Sequence, residues 1–446
     1  MEKKKAKEAA GGMNRRDFLA TAATGIAGFM ILPSFTVDGV RIAPSDRVVL
    51  GFVGLGQQGC SDFNSFTGCP GVQVAACCDV DSIKRERFRR YVTGWQKSKG
   101  MPQRCDMYEQ YEQLLERKDI DAIEIATPDH WHALVAIHSV QAGKDVYLQK
   151  PQAYTITEGL AVQAAVRANH RILQMGSQQR SSAEFQQAIA LVRAGGLGNI
   201  KEVYCRVGEP PKPLDLPEMP VPENLNWNLW MGPLTDPKIH YHPDLCPPIS
   251  LDPAENEKLW GAWRWYKKTG GGYMTDWGAH MFDIVQWALG KDGSGPTEVI
   301  PPGYSFYKNL TYKYDNGVVV EETTFDDKGQ GVKIYGDEGW IAVHRGNLYA
   351  SDPKFEMKVT DNSVPFEARA GHHRVFIESV KSRIDPNVPV EVGHSSCNMC
   401  NIGIIAGELG RPLVWNPIVQ KFMHDDEANA LKHYDYREGY KNLLDV

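Results

Sequence analysis

The feature that most constrains this chain is the glycine motif Gly54-Leu55-Gly56-Gln57-Gln58-Gly59, because of the segments on either side of it. Residues 47–53 before it are apolar and β-branched, as expected of a buried parallel strand. A second apolar segment, residues 72–78, ends at Asp79, twenty residues after the last glycine. The glycine motif alone is weak evidence. Between two strands, with an acid ending the second, it predicts a dinucleotide-binding turn.

Each position of the motif has a physical role in such a turn. Gly54 permits the tight turn, Gly56 lets the backbone approach a pyrophosphate, and Gly59 lets the following helix pack close to the sheet. Gln57 and Gln58 stand at the start of that helix, where unpaired N–H groups and the helix dipole favour an anion. We therefore expect this loop to bind the cofactor.

Asp79 indicates which dinucleotide is bound. Its carboxylate would accept hydrogen bonds from the hydroxyls of the adenosine ribose. The same negative charge repels a 2′-phosphate. The sequence therefore predicts NAD and makes NADP the less favoured cofactor.

The N-terminal segment differs from the rest of the chain. Arg15 and Arg16 precede an apolar run of small residues over 20–32, the pattern of a bacterial twin-arginine export signal. The run is shorter than the roughly twenty residues that a membrane span needs. We expect an export signal and linker over residues 1–45 and a periplasmic protein. Residues 32–35 do not form a clean cleavage site, so an uncleaved membrane tether stays open.

Composition narrows the classes of partner. The formal net charge is -6, and basic residues are not interleaved with aromatic ones in the body of the chain, so nucleic acid is not an expected partner. The nine cysteines are odd in number and lack the spacing of a disulfide scaffold. The pair Cys397 and Cys400 falls in a predicted helix over residues 394–409, and we interpret it as core packing.

The order of predicted elements divides the chain into domains. Strands and helices alternate over residues 46–176, which predicts a Rossmann-type, doubly wound parallel sheet. One of its predicted helices covers Asp106–Arg117. Strand-like segments then follow one another over 177–420, which predicts a second α/β domain with an open, mostly antiparallel sheet. We assign residues 421–446 to a C-terminal tail.

Lys150 is the first candidate catalytic residue. It follows the predicted strand 145–148, at the carboxyl edge of the sheet, where open α/β sheets bind ligands. A lysine there can hold a substrate hydroxyl and exchange a proton with it. We expect Pro151 to fix the backbone, and a cis peptide bond would do so. A surface lysine after a strand would give the same pattern.

Asp276 and His280 form the second candidate, because residues four apart share one face of a helix. A histidine with a carboxylate one turn away suits acid–base chemistry or half of a metal site. A capped helix with an ordinary histidine explains the pattern equally well. His240 and His242 could extend a metal site, but no spacing here is diagnostic, and we predict no metal.

Four motifs, in this order and at these intervals, resemble the Gfo/Idh/MocA oxidoreductases. They are the glycine motif at 54–59, Thr-Pro-Asp-His-Trp-His at 127–132, and the segments 143–151 and 270–283. The resemblance covers roughly residues 46–420. It implies a Rossmann domain followed by an α/β domain with an open sheet.

The resemblance also implies roles for individual residues. Lys150, Asp276 and His280 would form the catalytic set. His280, or Lys150 with it, would take the hydroxyl proton while hydride passes to the nicotinamide, and Asp276 would orient the sugar or the histidine. The cofactor-binding residues near the nicotinamide would be Thr127, Pro128, His132, Gln149 and Lys150.

Gln149 departs from the family pattern, which usually has Glu-Lys-Pro where this chain has Gln-Lys-Pro. Loss of a negative charge beside Lys150 should favour the neutral, basic form of the lysine. The same change fits altered or weakened redox chemistry.

Substrate-binding residues are expected in and near the stretch 209–265, which is rich in proline and tryptophan. This stretch resembles exported Bacteroidetes- and planctomycete-type members of the family. Aromatic faces stack on sugar rings, although the tryptophans could equally pack under a long loop. The candidates are Trp230, His242, Arg264 and Tyr273.

The sequence thus predicts an exported NAD-dependent oxidoreductase that acts on a secondary alcohol of a sugar, glycoside or polyol. Free NAD is scarce outside the cytoplasm, so we expect a tightly held cofactor. We also expect a homo-oligomer formed through the open sheet. One alternative is an NAD-dependent glycosidase that oxidises C3 transiently, with Tyr273, His242 or His280 removing the C2 proton. The other is a non-catalytic sugar-binding protein with structural NAD.

Overall fold

The computed structural model describes residues 35–37, 40–42, 46–254, 257–258, 260–356 and 371–440. The twin-arginine segment lies outside the described residues. The first described elements are β1 (Phe35–Val37) and β2 (Val40–Ile42), which pair antiparallel. Among the described helices, none combines the length and apolar character needed to cross a bilayer.

The first domain is built on a parallel sheet that has six strands within the described chain, in the order β5-β4-β3-β6-β7-β8. Its strands are β3 (Val48–Val53), β4 (Val72–Cys78), β5 (Asp106–Tyr108), β6 (Ala122–Ile125), β7 (Asp145–Leu148) and β8 (Leu173–Met175). The helices between them are α1 (Gln57–Phe66), α2 (Ser82–Ser98), α3 (Tyr111–Leu115), α4 (Asp129–Gln141) and α5 (Ile156–Ala168). The strand order reverses beside β3, which is the Rossmann arrangement. The predicted fold class is confirmed.

Local chemistry explains why these elements form where they do. Every residue of β3 is buried, and Phe52 at its centre packs against Phe63 and Phe66 of α1. Helix α2 begins after Asp81, whose carboxylate accepts hydrogen bonds from two backbone N–H groups of the first turn. The turn that carries the glycine motif therefore lies between a buried strand, β3, and a helix, α1, that packs against it.

The helix predicted over Asp106–Arg117 is wrong in its first part. Residues Asp106–Tyr108 form strand β5, and the helix is confined to Tyr111–Leu115. The tyrosines and leucines of this segment do recur at helical spacing. However, β5 pairs with the free edge of β4, and the backbone hydrogen bonds gained there outweigh a weak local preference.

The second domain is built on a mixed sheet, with nine strands among the described residues, in the order β15-β14-β13-β9-β12-β11-β10-β16-β17. The strands are β9 (Ile200–Arg206), β10 (Glu298–Ile300), β11 (Leu310–Lys313), β12 (Val319–Glu322), β13 (Gly331–Gly336), β14 (Gly339–His344), β15 (Asn347–Ala350), β16 (Leu413–Asn416) and β17 (Lys421–Phe422). Only the pair β9–β12 is parallel in the described part of this sheet.

Helices cover one face of this sheet. The later helices are α6 (Ala183–Arg193), α7 (Trp227–Met231), α8 (Gly272–Asp276), α9 (Gly278–Leu289), α10 (His372–Ser382), α11 (Val390–Leu409) and α12 (Asp426–Ala430). Alternate residues of the strands, such as Val203 and Ile334, pack with α9 and α11 in the core. The opposite face carries half-buried Tyr204, Lys333 and Tyr335.

The C-terminal segment ties the two domains together. Phe376 of α10 packs in the core beside β3, and Tyr436 donates a hydrogen bond to buried Glu158 of α5. Strand β17 extends the second sheet into the segment assigned to the tail. Cys397 and Cys400 are buried on α11 with free thiols, in agreement with core packing.

Candidate active site

A cleft of about 370 Å³ opens at the carboxyl ends of the parallel strands and is closed on its far side by the second domain. It brings together most of the residues singled out from the sequence. They are Gly54, Gly56, Gln57, Gln58, Asp79, Thr127, Pro128, His132, Gln149, Lys150, Trp230, Arg264 and Asp276. The lining does not include Gly59, His242, Tyr273 or His280.

The glycine loop has the shape that a dinucleotide requires. Gly54 has φ +92°, and a Cβ there would lie 2.5 Å from the carbonyl carbon of Ala126. A Cβ on Gly59 would lie 2.2 Å from the carbonyl oxygen of Gly54. A Cβ on Gly56, in contrast, would meet no described atom within 4 Å, so it would project into the open cleft. The loop therefore packs against backbone at Gly54 and Gly59 and is open to the cleft at Gly56, which fits a pyrophosphate bound at the start of α1.

The far end of the cleft holds a carboxylate and an ammonium group. Asp79 accepts hydrogen bonds from the backbone N–H groups of Leu55, at 2.8 Å, and Asp81, at 2.9 Å. Lys84 lies 3.7 Å from the thiol of Cys246. Burial alone would lower the pKa of Lys84, but Cys246 and the two aspartates raise it above its usual value. Lys84 is a cleft residue that we had not inferred from the sequence.

Lys150 and Asp276 meet at the centre of the cleft. The ammonium group donates to Asp276 Oδ1 and to the Asp276 carbonyl oxygen, both at 2.7 Å. The peptide bond from Lys150 to Pro151 is cis. Burial tends to raise the pKa of Asp276, but Lys150 and Arg264 outweigh it, so the pKa lies below its usual value. Asp276 is therefore ionised at neutral pH and holds Lys150 in place.

Arg264 completes this charged group from the second domain. Its Nε lies 3.7 Å from Asp276 Oδ1, and the side chain is 13% exposed. The guanidinium group stacks on Trp260 and Trp263, at 4.4 and 4.5 Å from the ring centroids. Nη1 donates to the carbonyl oxygen of Gly261 at 2.5 Å. The result is a cationic and aromatic wall opposite Lys150, a combination suited to sugar hydroxyls and ring faces.

His280 lies behind the cleft and is held by other side chains. With the amide of Gln179 in the orientation that its neighbours require, Gln179 donates to His280 Nδ1 at 2.8 Å and accepts from Arg345. Burial, reinforced by Lys150 and Arg345, holds the pKa of His280 well below its usual value. A neutral ring that accepts at Nδ1 carries its hydrogen on Nε2. His280 is therefore a donor at Nε2.

His132 joins two loops of the first domain. Its Nδ1 lies 2.6 Å from the carbonyl oxygen of Pro151, and its Nε2 lies 3.0 Å from that of Thr127. Burial lowers the pKa of His132 to about 4, although both backbone contacts oppose this shift. The neutral ring can donate to only one of the two carbonyls. His132 thus positions the segment that carries Lys150.

Asp129, like Lys84, is a cleft residue that the sequence analysis does not single out. It is the first residue of α4, directly after Thr127 and Pro128, and it is 4% exposed. Burial raises its pKa to about 7, although Lys150 and Arg264 act in the opposite direction. An acid at a helix start, just after the carboxyl end of a strand, is the sequence signal that could have identified it.

Gln149 faces a buried carboxylate. Its Nε2 donates to Asp62 Oδ2 at 2.7 Å, and Asp62 Oδ1 lies 2.9 Å from His373 Nε2. Glu124 adjoins this group, and burial followed by the charge of Asp62 raises its pKa well above the usual range. The carboxyl group beside residue 149 is thus that of Asp62.

The expected substrate residues divide into two groups. Arg264 and Trp230 line the cleft, and Trp230 is stacked on Trp227 at a centroid distance of 4.4 Å. His242 instead accepts from the backbone N–H of Asp244 at 3.0 Å. Tyr273 stacks on Trp265 at 4.3 Å. The structure does not bring these last two side chains to the cleft.

Among the described residues, no group of three or more histidine, cysteine or acidic side chains is arranged to hold a metal ion. His240 Nε2 lies 2.6 Å from the carbonyl oxygen of Leu216, and His280 is engaged by Gln179. The residues considered for a metal in the sequence are therefore occupied by other contacts.

Two family models match the chain. The NAD-binding Rossmann fold of the Gfo/Idh/MocA oxidoreductase family matches residues 48–177, and the C-terminal alpha/beta domain of that family matches residues 211–442.

Similar proteins include glycosidases and a sugar oxidoreductase. A "Glycosyl hydrolase family 109 protein" of Shewanella pealeana is 30% identical over 207 residues, which are 42% of this chain and 44% of the relative. An "Alpha-N-acetylgalactosaminidase" of Shewanella oneidensis is 29% identical over 160 residues, covering 36% and 35%. The chain thus aligns with less than half the length of these relatives. The aldose-aldose oxidoreductase of Caulobacter crescentus, solved with glycerol, has a TM-score of 0.55 and 19% identity, over 82% of this chain and 99% of that one. This structural likeness shows the fold.

Proposed function

The chain belongs to the Gfo/Idh/MocA oxidoreductase family, and from this premise we propose that it transfers hydride between a tightly held NAD and a secondary alcohol of a sugar, glycoside or polyol. The observation that carries the proposal is the Lys150–Asp276 pair in the same cleft as the glycine loop. The glycine loop would hold a dinucleotide at one end of the cleft, and the pair provides a fixed cation where a substrate would meet it.

The chemistry is shared between cofactor and protein. The nicotinamide, when bound, supplies hydride transfer; the protein supplies binding and proton handling. Two N–H groups of Lys150 are committed to Asp276, and no described residue accepts the third. That N–H can donate to the reacting oxygen and stabilise its developing negative charge. Arg264, flanked by Trp260 and Trp263, would hold the sugar.

Retention of the cofactor is part of the proposal. Leu245, Cys246 and Pro247 of the second domain line the same cleft as Asp79, so the dinucleotide would be enclosed from both sides. A held cofactor suits a protein exported in folded form by the twin-arginine route to the periplasm, with or without a membrane tether. It also suits a redox cycle in which one sugar re-oxidises or re-reduces what another has changed. The half-buried aromatic face of the second sheet would serve a homo-oligomer.

The test combines mass spectrometry with optical spectroscopy. Native mass spectrometry of the purified protein should show one NAD per chain, retained after dialysis. Methyl glycosides of glucose, galactose, N-acetylglucosamine and N-acetylgalactosamine, and myo-inositol, should then be screened for absorbance at 340 nm from the bound cofactor. Rapid loss of NAD on dialysis would refute the tightly held cofactor. A flat absorbance with every sugar would refute net hydride transfer from these sugars to the bound cofactor.

A second candidate is the NAD-dependent glycosidase, because the relative from Shewanella oneidensis is named an alpha-N-acetylgalactosaminidase. This activity would release p-nitrophenol from p-nitrophenyl N-acetyl-α-D-galactosaminide with no added NAD and no net reduction of the bound NAD. The Lys150–Pro151 pair favours the dehydrogenase over this alternative. Release of p-nitrophenol by wild type but not by a glycine-loop variant would favour the glycosidase.

A further inference from the structure

Asp129 is a buried carboxyl group that faces the cleft without a partner. It is 4% exposed, and its remaining surface belongs to the cleft lining. No described residue donates a hydrogen bond to its side chain, although buried carboxyl groups are normally satisfied. It stands at the N-terminus of α4, directly after the strand end that carries Thr127. Both carboxyl oxygens are therefore available to a bound molecule.

Charged and titratable groups from several elements face Asp129. Lys150, after β7, and Arg264, in the turn Ala262–Trp265, favour its ionised form. Asp276 at the end of α8 and Glu158 of α5 oppose ionisation. Half-buried Tyr154 and buried Cys397 lie near enough to be influenced by its charge. Burial sets the net result, and its pKa of about 7 leaves both protonation states populated at neutral pH.

The other candidates for accepting a proton are less suited to it. Lys150 is held as a donor by two contacts with Asp276. Asp276 is ionised but engaged by Lys150 and neighboured by Arg264. His280 accepts at Nδ1 and carries its hydrogen on Nε2, so it has no free acceptor atom. Oδ2 of Asp276 has no described donor, but the lowered pKa of this carboxylate makes it the weaker base. Asp129 alone, among the described groups of this central cluster, combines acceptor atoms that have no described donor with a raised pKa.

We propose that Asp129 is a catalytic residue, which accepts the hydroxyl proton of the substrate during oxidation and returns it during reduction. This inference rests on the proposed function. In the oxidation, the substrate C–H bond breaks and its electron pair leaves as hydride to the cofactor. The O–H bond breaks, its proton forms an O–H bond on Asp129, and its electrons form the new C=O bond. Lys150 donates a hydrogen bond to the same oxygen throughout, and Asp129 releases the proton to solvent through the cleft.

The experiment compares Asp129→Asn, Asp129→Glu and the control Glu158→Gln. Glu158 is also a buried carboxyl with a pKa raised to about 7, but it lies outside the cleft lining. Reduction of bound NAD by the sugar panel is followed between pH 5 and 9. In wild type the rate should rise with pH up to about 7 and then level, because the carboxylate is the active form. Asp129→Asn should lose this rise, which is the acidic limb of the pH profile, and be about 100-fold or more slower at pH 8. Asp129→Glu should keep part of it. Glu158→Gln should keep the limb and the rate at pH 8, with the limb shifted slightly to lower pH because Glu158 no longer opposes ionisation of Asp129.

Two further measurements separate this role from a structural one. Native mass spectrometry should find NAD in all three variants. Carboxyl ¹³C NMR of aspartate-labelled protein should show one resonance that titrates near pH 7 and is missing from Asp129→Asn. If this resonance titrates near pH 4, or if Asp129→Asn keeps the wild-type limb and rate, the inference is overturned while the proposed function stands. If wild type itself never reduces bound NAD with any sugar of the panel, the proposed function falls and the proton role falls with it.

Discussion

Replacing Gln149 by glutamate would place a second negative charge against a buried one. The Nε2 atom that would become a carboxylate oxygen lies 2.7 Å from Asp62 Oδ2. Two unit charges about 4 Å apart repel by about 4 kcal/mol at an effective dielectric constant of 20. Glu124 is already kept protonated beside the same carboxylate. We therefore expect this pocket to hold only one negative charge and the new glutamate to be protonated in the folded protein.

The cost of that protonation depends on pH in a defined direction. A glutamate titrates near 4.3 in the unfolded chain, and in this pocket its pKa would be raised above 7. Keeping it protonated at pH 7 therefore lowers the free energy of unfolding by about 4 kcal/mol, because each pH unit between the unfolded pKa and pH 7 costs about 1.4 kcal/mol. At pH 5 the same calculation leaves about 1 kcal/mol. The penalty is absent below the unfolded pKa and grows as pH rises. Gln149→Glu should therefore be nearly as stable as wild type at pH 5 and clearly less stable at pH 7.

The assay is the thermal midpoint of NAD-free protein at pH 5, 6 and 7, with two matched variants. Gln149→Met removes the hydrogen bond without adding a charge, so its loss of stability should be the same at each pH. The double variant Gln149→Glu/Asp62→Asn again has one carboxylate facing one amide, and it should recover most of the thermal stability that Gln149→Glu loses at pH 7. A penalty that does not change between pH 5 and 7, or a double variant no better than Gln149→Glu alone, would refute this account of the pocket.

Four further substitutions probe the cleft. Lys150→Met should lower the rate of bound-NAD reduction about 100-fold or more with NAD still retained by mass spectrometry; unchanged turnover would contradict the role proposed for Lys150. Gly56→Val should abolish NAD retention with little change in thermal midpoint, because the valine side chain would enter the open cleft. Gly59→Ala should mainly lower the thermal midpoint, because its Cβ would lie 2.2 Å from a backbone oxygen. Equal NAD content in the two variants would contradict this difference. Lys84→Met should increase the preference for NAD over NADP about tenfold in equilibrium binding, since it removes the cation beside Asp79; an unchanged ratio would place Lys84 away from the ribose.

The fold was largely predictable because its signals are local. The glycine loop and the strands around it follow from short apolar segments and turn residues, and the Rossmann sheet and the family are both confirmed. The error at Asp106–Tyr108 arose because the tyrosines and leucines of this segment recur at helical spacing, whereas its first residues pair with the edge of β4. His242 and Tyr273 were expected near the substrate on residue type alone, and only the packing of their loops shows that they face elsewhere.

Asp129 shows why chemistry at a cleft is harder to predict than fold. An aspartate after Thr127 and Pro128 is an ordinary helix-starting residue, and most such carboxylates are exposed and ionised. Here it is buried, with Lys150, Arg264 and Asp276 near it, so its pKa of about 7 reflects burial and charged groups that lie far from it in sequence.

The same argument applies to Lys150 and Asp276, which are separated by 126 positions but are held 2.7 Å apart. Any motion that separates the domains would release Lys150 from Asp276. The charge pair in the cleft therefore exists only where the two domains meet, and the sequence of either domain alone does not predict it.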